Sequence, residues 1–178
     1  PETAAAVIAK ICDCWGFAED TEITTEANPT SVEVDNFRAL ADVGVNRLSL
    51  GVQSLDNTVL EFLGREHSAA EAIEAIEAAA THFERYSFDL IYARPEQTLA
   101  DWRRELDKAL TLAGSHLSLY QLTIERGTPF HGLWHQGRLT PLNEDRAAEM
   151  FTETRAWLAD VGLPAYETSN HGAPGSEC

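Results

Sequence analysis

A strand-like stretch alternating with a helix-like one constrains this chain more than any other feature. Residues 22–27, 46–54, 86–93 and 116–124 have strand length and strand patterning, and runs of helical spacing separate them. Such strict alternation calls for parallel strands joined by right-handed crossovers. Two α/β architectures satisfy it: an arc of a (β/α) barrel, or a doubly wound open sheet. No Gly-x-Gly-x-x-Gly follows a strand, which counts against a dinucleotide-binding sheet.

The helical runs carry their own start and stop signals. Residues 2–15 repeat Ala4, Val7, Ile8, Ile11 and Trp15 at helical spacing, and Gly16 suits the end. Thr30-Ser31-Val32-Glu33, Ser68-Ala69-Ala70-Glu71 and Thr98-Leu99-Ala100-Asp101 have the form of capping boxes. The first opens a helix carrying Phe37, Leu40 and Ala41. The second opens one with Ile73, Ile76, Ala80 and Phe83 on one face. The third opens one burying Leu99, Trp102, Leu106, Ala109 and Ala113, with Gly114 as its cap. A short helix is expected at 55–63. Residues 125–141 read as an irregular segment, and loops of that length are often functional. A helix over 144–160 and the start of a fifth strand at 165–170 complete the pattern.

The central strand, 46–54, sets Leu48, Leu50 and Val52 on one face and Ser49, Gly51 and Gln53 on the other. In parallel α/β sheets, ligands sit at the C-terminal ends of the strands. Polar residues fall at successive exits: Glu26, Gln53 and Asp89, with Gln121 on the fourth strand. Any one alone serves equally well as a cap or a solvated loop residue. Two carboxylates and an amide on adjacent exits form a candidate mouth. Arg65 follows the short helix after the central strand and could grip a carboxylate in bidentate fashion, although a surface arginine explains it as well.

Charge and cysteines narrow the partners. The chain has 29 acidic and 13 basic residues and a formal net charge of −16, which disfavours nucleic acid or an anionic membrane surface. No apolar run is long enough to span a bilayer. Three cysteines make a poor disulfide framework, so a reduced, cytoplasmic setting is expected. Cys12 and Cys14, two apart on a helix, point in different directions and read as packing thiols. His131 and His135 are four apart, but Pro129, Gly132 and Gly137 suggest a partly buried aromatic loop, and no third metal ligand is evident. The chain opens at Pro1 without Met and ends at Cys178 without a closing element, so it is expected to be one part of a longer protein.

Several of these stretches resemble one family. Glu26-Ala27-Asn28-Pro29, Arg47-Leu48-Ser49-Leu50-Gly51-Val52-Gln53-Ser54, Leu63-Gly64-Arg65 and Asp89-Leu90-Ile91-Tyr92-Ala93-Arg94-Pro95-Glu96-Gln97-Thr98 are similar to consecutive signatures of radical S-adenosylmethionine proteins. The similarity is to the oxygen-independent coproporphyrinogen III oxidase-like group, which includes a bacterial heme chaperone. Residues 120–130 and 166–175 resemble the chaperone branch.

The resemblance implies a partial (β/α)6 barrel over residues 1–178 as one incomplete domain, with N-terminal strands and a C-terminal region missing. It implies S-adenosylmethionine and a [4Fe-4S] cluster in the longer protein, whose Cys-x-x-x-Cys-x-x-Cys loop would lie before Pro1. It makes Glu26, Gln53, Arg65 and Asp89 contacts to S-adenosylmethionine, and heme or a porphyrinogen the partner. Heme delivery is the first expected function and oxidative decarboxylation of coproporphyrinogen III the second. A third, of another class, is a non-catalytic barrel-type interaction module. Two further expectations are self-association through open sheet edges and no stoichiometric cluster on this chain alone. One departure stands out. Where the family carries Gly-Leu-Pro-Gly, this chain has Ala93-Arg94-Pro95-Glu96, and Ala and Glu tolerate positive φ poorly.

Overall fold

The chain, described by a computed structural model, is traced over residues 1–178, with all side chains described except those of Ser31 and Val32. Five strands form one sheet in the order β1-β2-β3-β4-β5: β1 (Thr24–Ala27), β2 (Arg47–Gln53), β3 (Arg85–Tyr92), β4 (His116–Gln121) and β5 (Asn170–Gly172). The first four are parallel and adjacent in chain order. A doubly wound sheet reverses strand order at a switch point. Here the order never reverses, so the sheet is the barrel arc.

The fifth strand differs from expectation. It begins at Asn170 and runs antiparallel to β4, pairing His116 with Gly172 and Ser118 with Asn170. The chain doubles back through a tight turn in which Ala165 bridges His171 and Tyr166 N–H donates to the Asn170 carbonyl. The β4–β5 connection, residues 122–169 with α7 and α8, is long enough for a crossover; it is this reversal after α8 that turns β5 antiparallel.

The helices are α1 (Glu2–Trp15), α2 (Ser31–Val34), α3 (Phe37–Asp42), α4 (Asn57–Phe62), α5 (Ala69–His82), α6 (Leu99–Leu110), α7 (Pro129–His135) and α8 (Glu144–Asp160). Both later capping boxes form: Ser68 with Glu71 at α5, and Thr98 with Asp101 at α6. The first expected box falls partly on Ser31 and Val32, whose side chains lie outside the described residues. Glu33 instead accepts from the Asn28 backbone N–H, and the expected single helix is split into α2 and α3. The stretch read as irregular contains α7, started by Thr128 Oγ1 accepting from His131 N–H with Pro129 at the first helical position. The C-cap of α6 is Thr111 rather than Gly114, where a Cβ would meet the Tyr86 ring at 3.0 Å.

Strand periodicity divides the sheet into two faces. Leu48, Leu50, Val52, Phe88, Leu90, Leu117 and Leu119 pack under the helices and are almost fully buried. Each is worth about 1.5–3 kcal/mol on leaving water. The stripe of α5 that meets them is Ala72, Ala75, Ile76 and Ala79; Ala80 is exposed. α8 inserts Ala147, Met150, Thr154 and Leu158, and α6 inserts Trp102, Leu106 and Ala109. α1 buries none of its residues: Trp15 is 81% exposed, and Cys12 and Cys14 face solvent rather than packing.

β1 is hydrogen-bonded to β2 alone and forms one edge of the sheet. An unpaired parallel edge is a template for another chain. This chain produced alone is therefore expected to associate at tens of micromolar, about the range of weak edge pairing. Light scattering checks it, and a monodisperse monomer at that concentration counts against it.

Candidate functional site

The face opposite the helices is built from small and polar residues. Ser49, Gly51, Ser87, Asp89 and Ser118 share it, with the buried Arg47 beneath. Arg47 Nη2 donates to Ser87 Oγ at 3.0 Å, and Ser87 Oγ donates to Ser49 Oγ at 3.2 Å. Arg47 Nη1 also lies 3.9 Å from Glu22, which pairs with Arg85 at 2.6 Å. This network closes the N-terminal end of the strands and leaves their C-terminal end open.

Asp89 is a strongly perturbed group on this face. It lies mid-strand in β3, not at the exit, but the register sets it beside Ser118, and Gln53 pairs with its neighbour Leu90. Burial pushes its carboxyl up to about 6, and the negative charge of Glu26 adds to the rise. A hydrogen bond from Ser118 and the charges of Arg47 and Arg65 work against it. Oδ1 is buried without a hydrogen-bond partner. A carboxylate held this way is poised to accept from a ligand donor.

The titration has a consequence for stability. A carboxyl whose folded pKa stands above its unfolded value binds its proton more tightly in the folded chain, so its contribution favours folding below about pH 4 and is lost as pH rises toward 6. His116 and His171, both pushed down to about 4 by burial, act in the opposite sense, losing stability as pH falls below 6.5. The comparison of Asp89→Asn with the parent isolates the carboxyl. The variant's stability advantage should grow between pH 4 and 7.5 by at most about 3 kcal/mol, two pKa units at 1.36 each. Urea titrations at the two pH values measure it, and a difference that does not change with pH refutes the titration.

Gln53 ends β2 in an unusual conformation. Its φ is 69°, and Ser54 N–H donates to the Val52 carbonyl at 2.9 Å, closing a three-residue γ-turn of the rare, strained hand. The amide returns over Gly51, where an added Cβ would lie 3.2 Å from Gln53 Nε2 and 3.6 Å from Asn28 Oδ1. Gly51 is thus required for close approach, and Asn28, at the end of β1, joins the cluster. Asn28 stood in the sequence only as part of the family-like stretch Glu26-Ala27-Asn28-Pro29, with no role of its own.

The other expected residues divide. Glu26 pairs in register with Ser49, is exposed and acts electrostatically on Asp89. Arg65 is exposed, its side chain makes no hydrogen bond or ion pair among the described residues, and its charge also reaches Asp89. Glu26 and Asp89 therefore share one face with the returned Gln53 amide, and Arg65 lies within electrostatic reach of Asp89. Gln121 does not share that face. It pairs with Tyr92 and takes the helix-side parity. On β4 the residues beside Asp89 are Ser118 and the partly exposed Tyr120, whose phenol is pushed up by burial and by the Asp89 charge.

Beside the mouth, Ala93 and Glu96 both adopt left-handed conformations, with φ of 57° and 62°. The loop keeps the geometry that glycine would give, at a cost of about 1 kcal/mol or more per residue. Between those residues Arg94 forms an ion pair with Glu105, described below. A cavity of about 760 Å³ lies over that pair between α4 and α6, away from Asp89. No three His, Cys, Asp or Glu side chains among the described residues form a metal site. His131 and His135 sit on α7 with rings 4.5 Å apart, in a helix rather than the expected loop.

The radical SAM superfamily profile matches residues 2–109. The chain belongs to the radical SAM superfamily. It is 42% identical over 177 residues to the mitochondrial radical S-adenosyl methionine domain-containing protein 1 of Bos taurus, covering 99% of this chain and 40% of that one. It is 35% identical over 164 residues to the heme chaperone HemW of Synechocystis, covering 92% and 40%. Among solved structures, the radical SAM coproporphyrinogen III oxidase HemN of Escherichia coli superposes with a TM-score of 0.76 at 24% identity, over 97% of this chain and 41% of that one. The likeness to HemN shows a common fold. The chain spans about 40% of the length of these curated relatives. No helix among the described residues is long and apolar enough to cross a membrane.

Proposed function

We propose that this chain is the S-adenosylmethionine-holding arc of a radical SAM protein of the heme chaperone type. One observation carries the reading: a buried carboxylate oxygen without a partner, on Asp89, next to backbone left open at Gly51. S-adenosylmethionine offers ribose hydroxyls, an ammonium, a carboxylate and a sulfonium. Glu26 and Asp89 suit the hydroxyls or the cations, Gln53 suits donor or acceptor, and Arg65 suits the carboxylate. Bound to an iron–sulfur cluster, S-adenosylmethionine supplies one-electron chemistry. Cys12, Cys14 and Cys178 do not provide that cluster's site, so it would rest on other cysteines of the longer protein. Three solvent-facing thiols suit a reducing compartment.

Heme is the proposed cargo because the curated relatives include heme chaperones matching over nearly the whole chain. The oxidase alternative is supported by fold alone. In the longer protein, reconstituted anaerobically, Arg65→Ala should weaken S-adenosylmethionine binding by roughly 1.5–3 kcal/mol, the scale of a lost charged hydrogen bond. Calorimetry that finds the affinity unchanged argues against the site. The same protein should bind heme and leave coproporphyrinogen III unconverted. Conversion at 10⁻¹ s⁻¹ or faster, of order an ordinary slow turnover, moves the choice to the oxidase.

A further inference from the structure

The strained turn at Gln53 needs something to hold it, since left-handed non-glycine residues persist only where their surroundings over-determine them. The next residue, Ser54, is fully buried and held on every side. Its Oγ donates to Glu105 Oε1 at 2.5 Å and accepts from Arg94 Nη1 at 3.3 Å and from Asp56 N–H at 3.2 Å. Glu105 reaches in from α6 and also accepts from Leu55 N–H at 3.3 Å. Arg94 comes from the loop after β3 and is held by Glu105 Oε2 at 2.5 Å and by the Ile91 carbonyl at 3.2 Å. On the other side of the turn, the Val52 carbonyl that receives Ser54 N–H also lies 3.0 Å from the buried His67 Nε2.

We propose that Arg94 and Glu105, acting through Ser54, are positioning residues that hold Gln53 in its left-handed turn with its amide returned over Gly51 and Asn28. Two elements on the helix side of the sheet thereby set a side chain on the opposite face. The inference deepens the proposed S-adenosylmethionine site and rests on Gln53 belonging to it. It also gives Arg94 a task that the leucine of the family's Gly-Leu-Pro-Gly cannot perform.

Two variants separate positioning from stability. Ser54→Ala removes the shared hydroxyl. The double change Arg94→Leu with Glu105→Leu removes both charges together, so neither is left buried and unpaired, and the fold is retained. In this chain labelled with 15N-glutamine, each variant should shift the Gln53 side-chain amide resonance, assigned by its loss in Gln53→Ala, with thermal unfolding still cooperative. In the longer protein, each should weaken S-adenosylmethionine five- to tenfold by calorimetry. Gln53→Ala should do at least as much, and Ser54→Ala added to Gln53→Ala should cost nothing more, because both act through one side chain. An unmoved Gln53 resonance in both variants, or full additivity of Ser54→Ala and Gln53→Ala, overturns the proposal. If Gln53→Ala itself leaves the affinity intact, the cofactor assignment fails, and the resonance shift still decides whether the latch positions Gln53.

Discussion

Glu105→Ala should destabilise the chain by about 3–5 kcal/mol, the cost of leaving a buried charge without its partner. The Arg94 and Glu105 side chains are only 9% and 10% exposed and meet at 2.5 Å. Removing the carboxylate strips Arg94 of its counter-ion and takes an acceptor from both Ser54 and Leu55 N–H. Against a typical total stability of about 5–15 kcal/mol, the loss is large. The paired change Arg94→Leu with Glu105→Leu leaves no buried charge unpaired and should cost less, about 1–3 kcal/mol, from the acceptor lost to Ser54 and Leu55 N–H. Equilibrium urea unfolding of the three proteins checks both statements. A Glu105→Ala cost below about 1 kcal/mol, the range of an exposed pair, would show that the pair is solvated.

Trp102→Ala should cost a similar amount, about 3–5 kcal/mol. Trp102 is fully buried and joins three elements. Its ring stacks on Tyr92 of β3 with centroids 5.2 Å apart, and its Nε1 donates to Thr154 Oγ1 of α8 at 2.7 Å. Thr154 in turn donates to the Met150 carbonyl, so the hydroxyl keeps a partner when the indole is lost. Trp102→Phe should therefore cost only about 1–2 kcal/mol, a neutral hydrogen bond and a little packing. Hydrogen exchange should show α8 opening first in Trp102→Ala. Protection in α8 equal to the parent would mean that Trp102 does not anchor that helix.

Local chemistry was legible in the residues themselves. Ser68 with Glu71 and Thr98 with Asp101 start helices where their spacing says they should, because a capping box needs only four consecutive residues. The alternation of Leu48, Leu50 and Val52 with Ser49, Gly51 and Gln53 determined which face each residue takes, because strand parity is a property of the backbone. The gathering of Glu26, Gln53 and Asp89 followed from parallel topology. The resemblance to radical S-adenosylmethionine proteins agreed with all of this, and family membership bears it out.

What remained depended on contacts between residues distant in sequence. Register decided that Ser118 and Tyr120, not Gln121, accompany Asp89, because one residue of offset moves a side chain to the other face. The direction of β5 depended on a reversal at 165–170 that closes against β4, and a three-residue strand carries too little pattern to reveal it. The left-handed turns at Gln53, Ala93 and Glu96 run against the preferences of their residue types. Tertiary contacts outweigh those preferences: Ser54, Arg94 and Glu105 lie up to 51 positions apart and meet only once the sheet and α6 are assembled. The sequence by itself determined the four parallel strands, their faces, the main helices between them and the edge at which a ligand could sit. Only the folded chain decided how Gln53 is aimed, because a strained turn is stable only when distant side chains hold it.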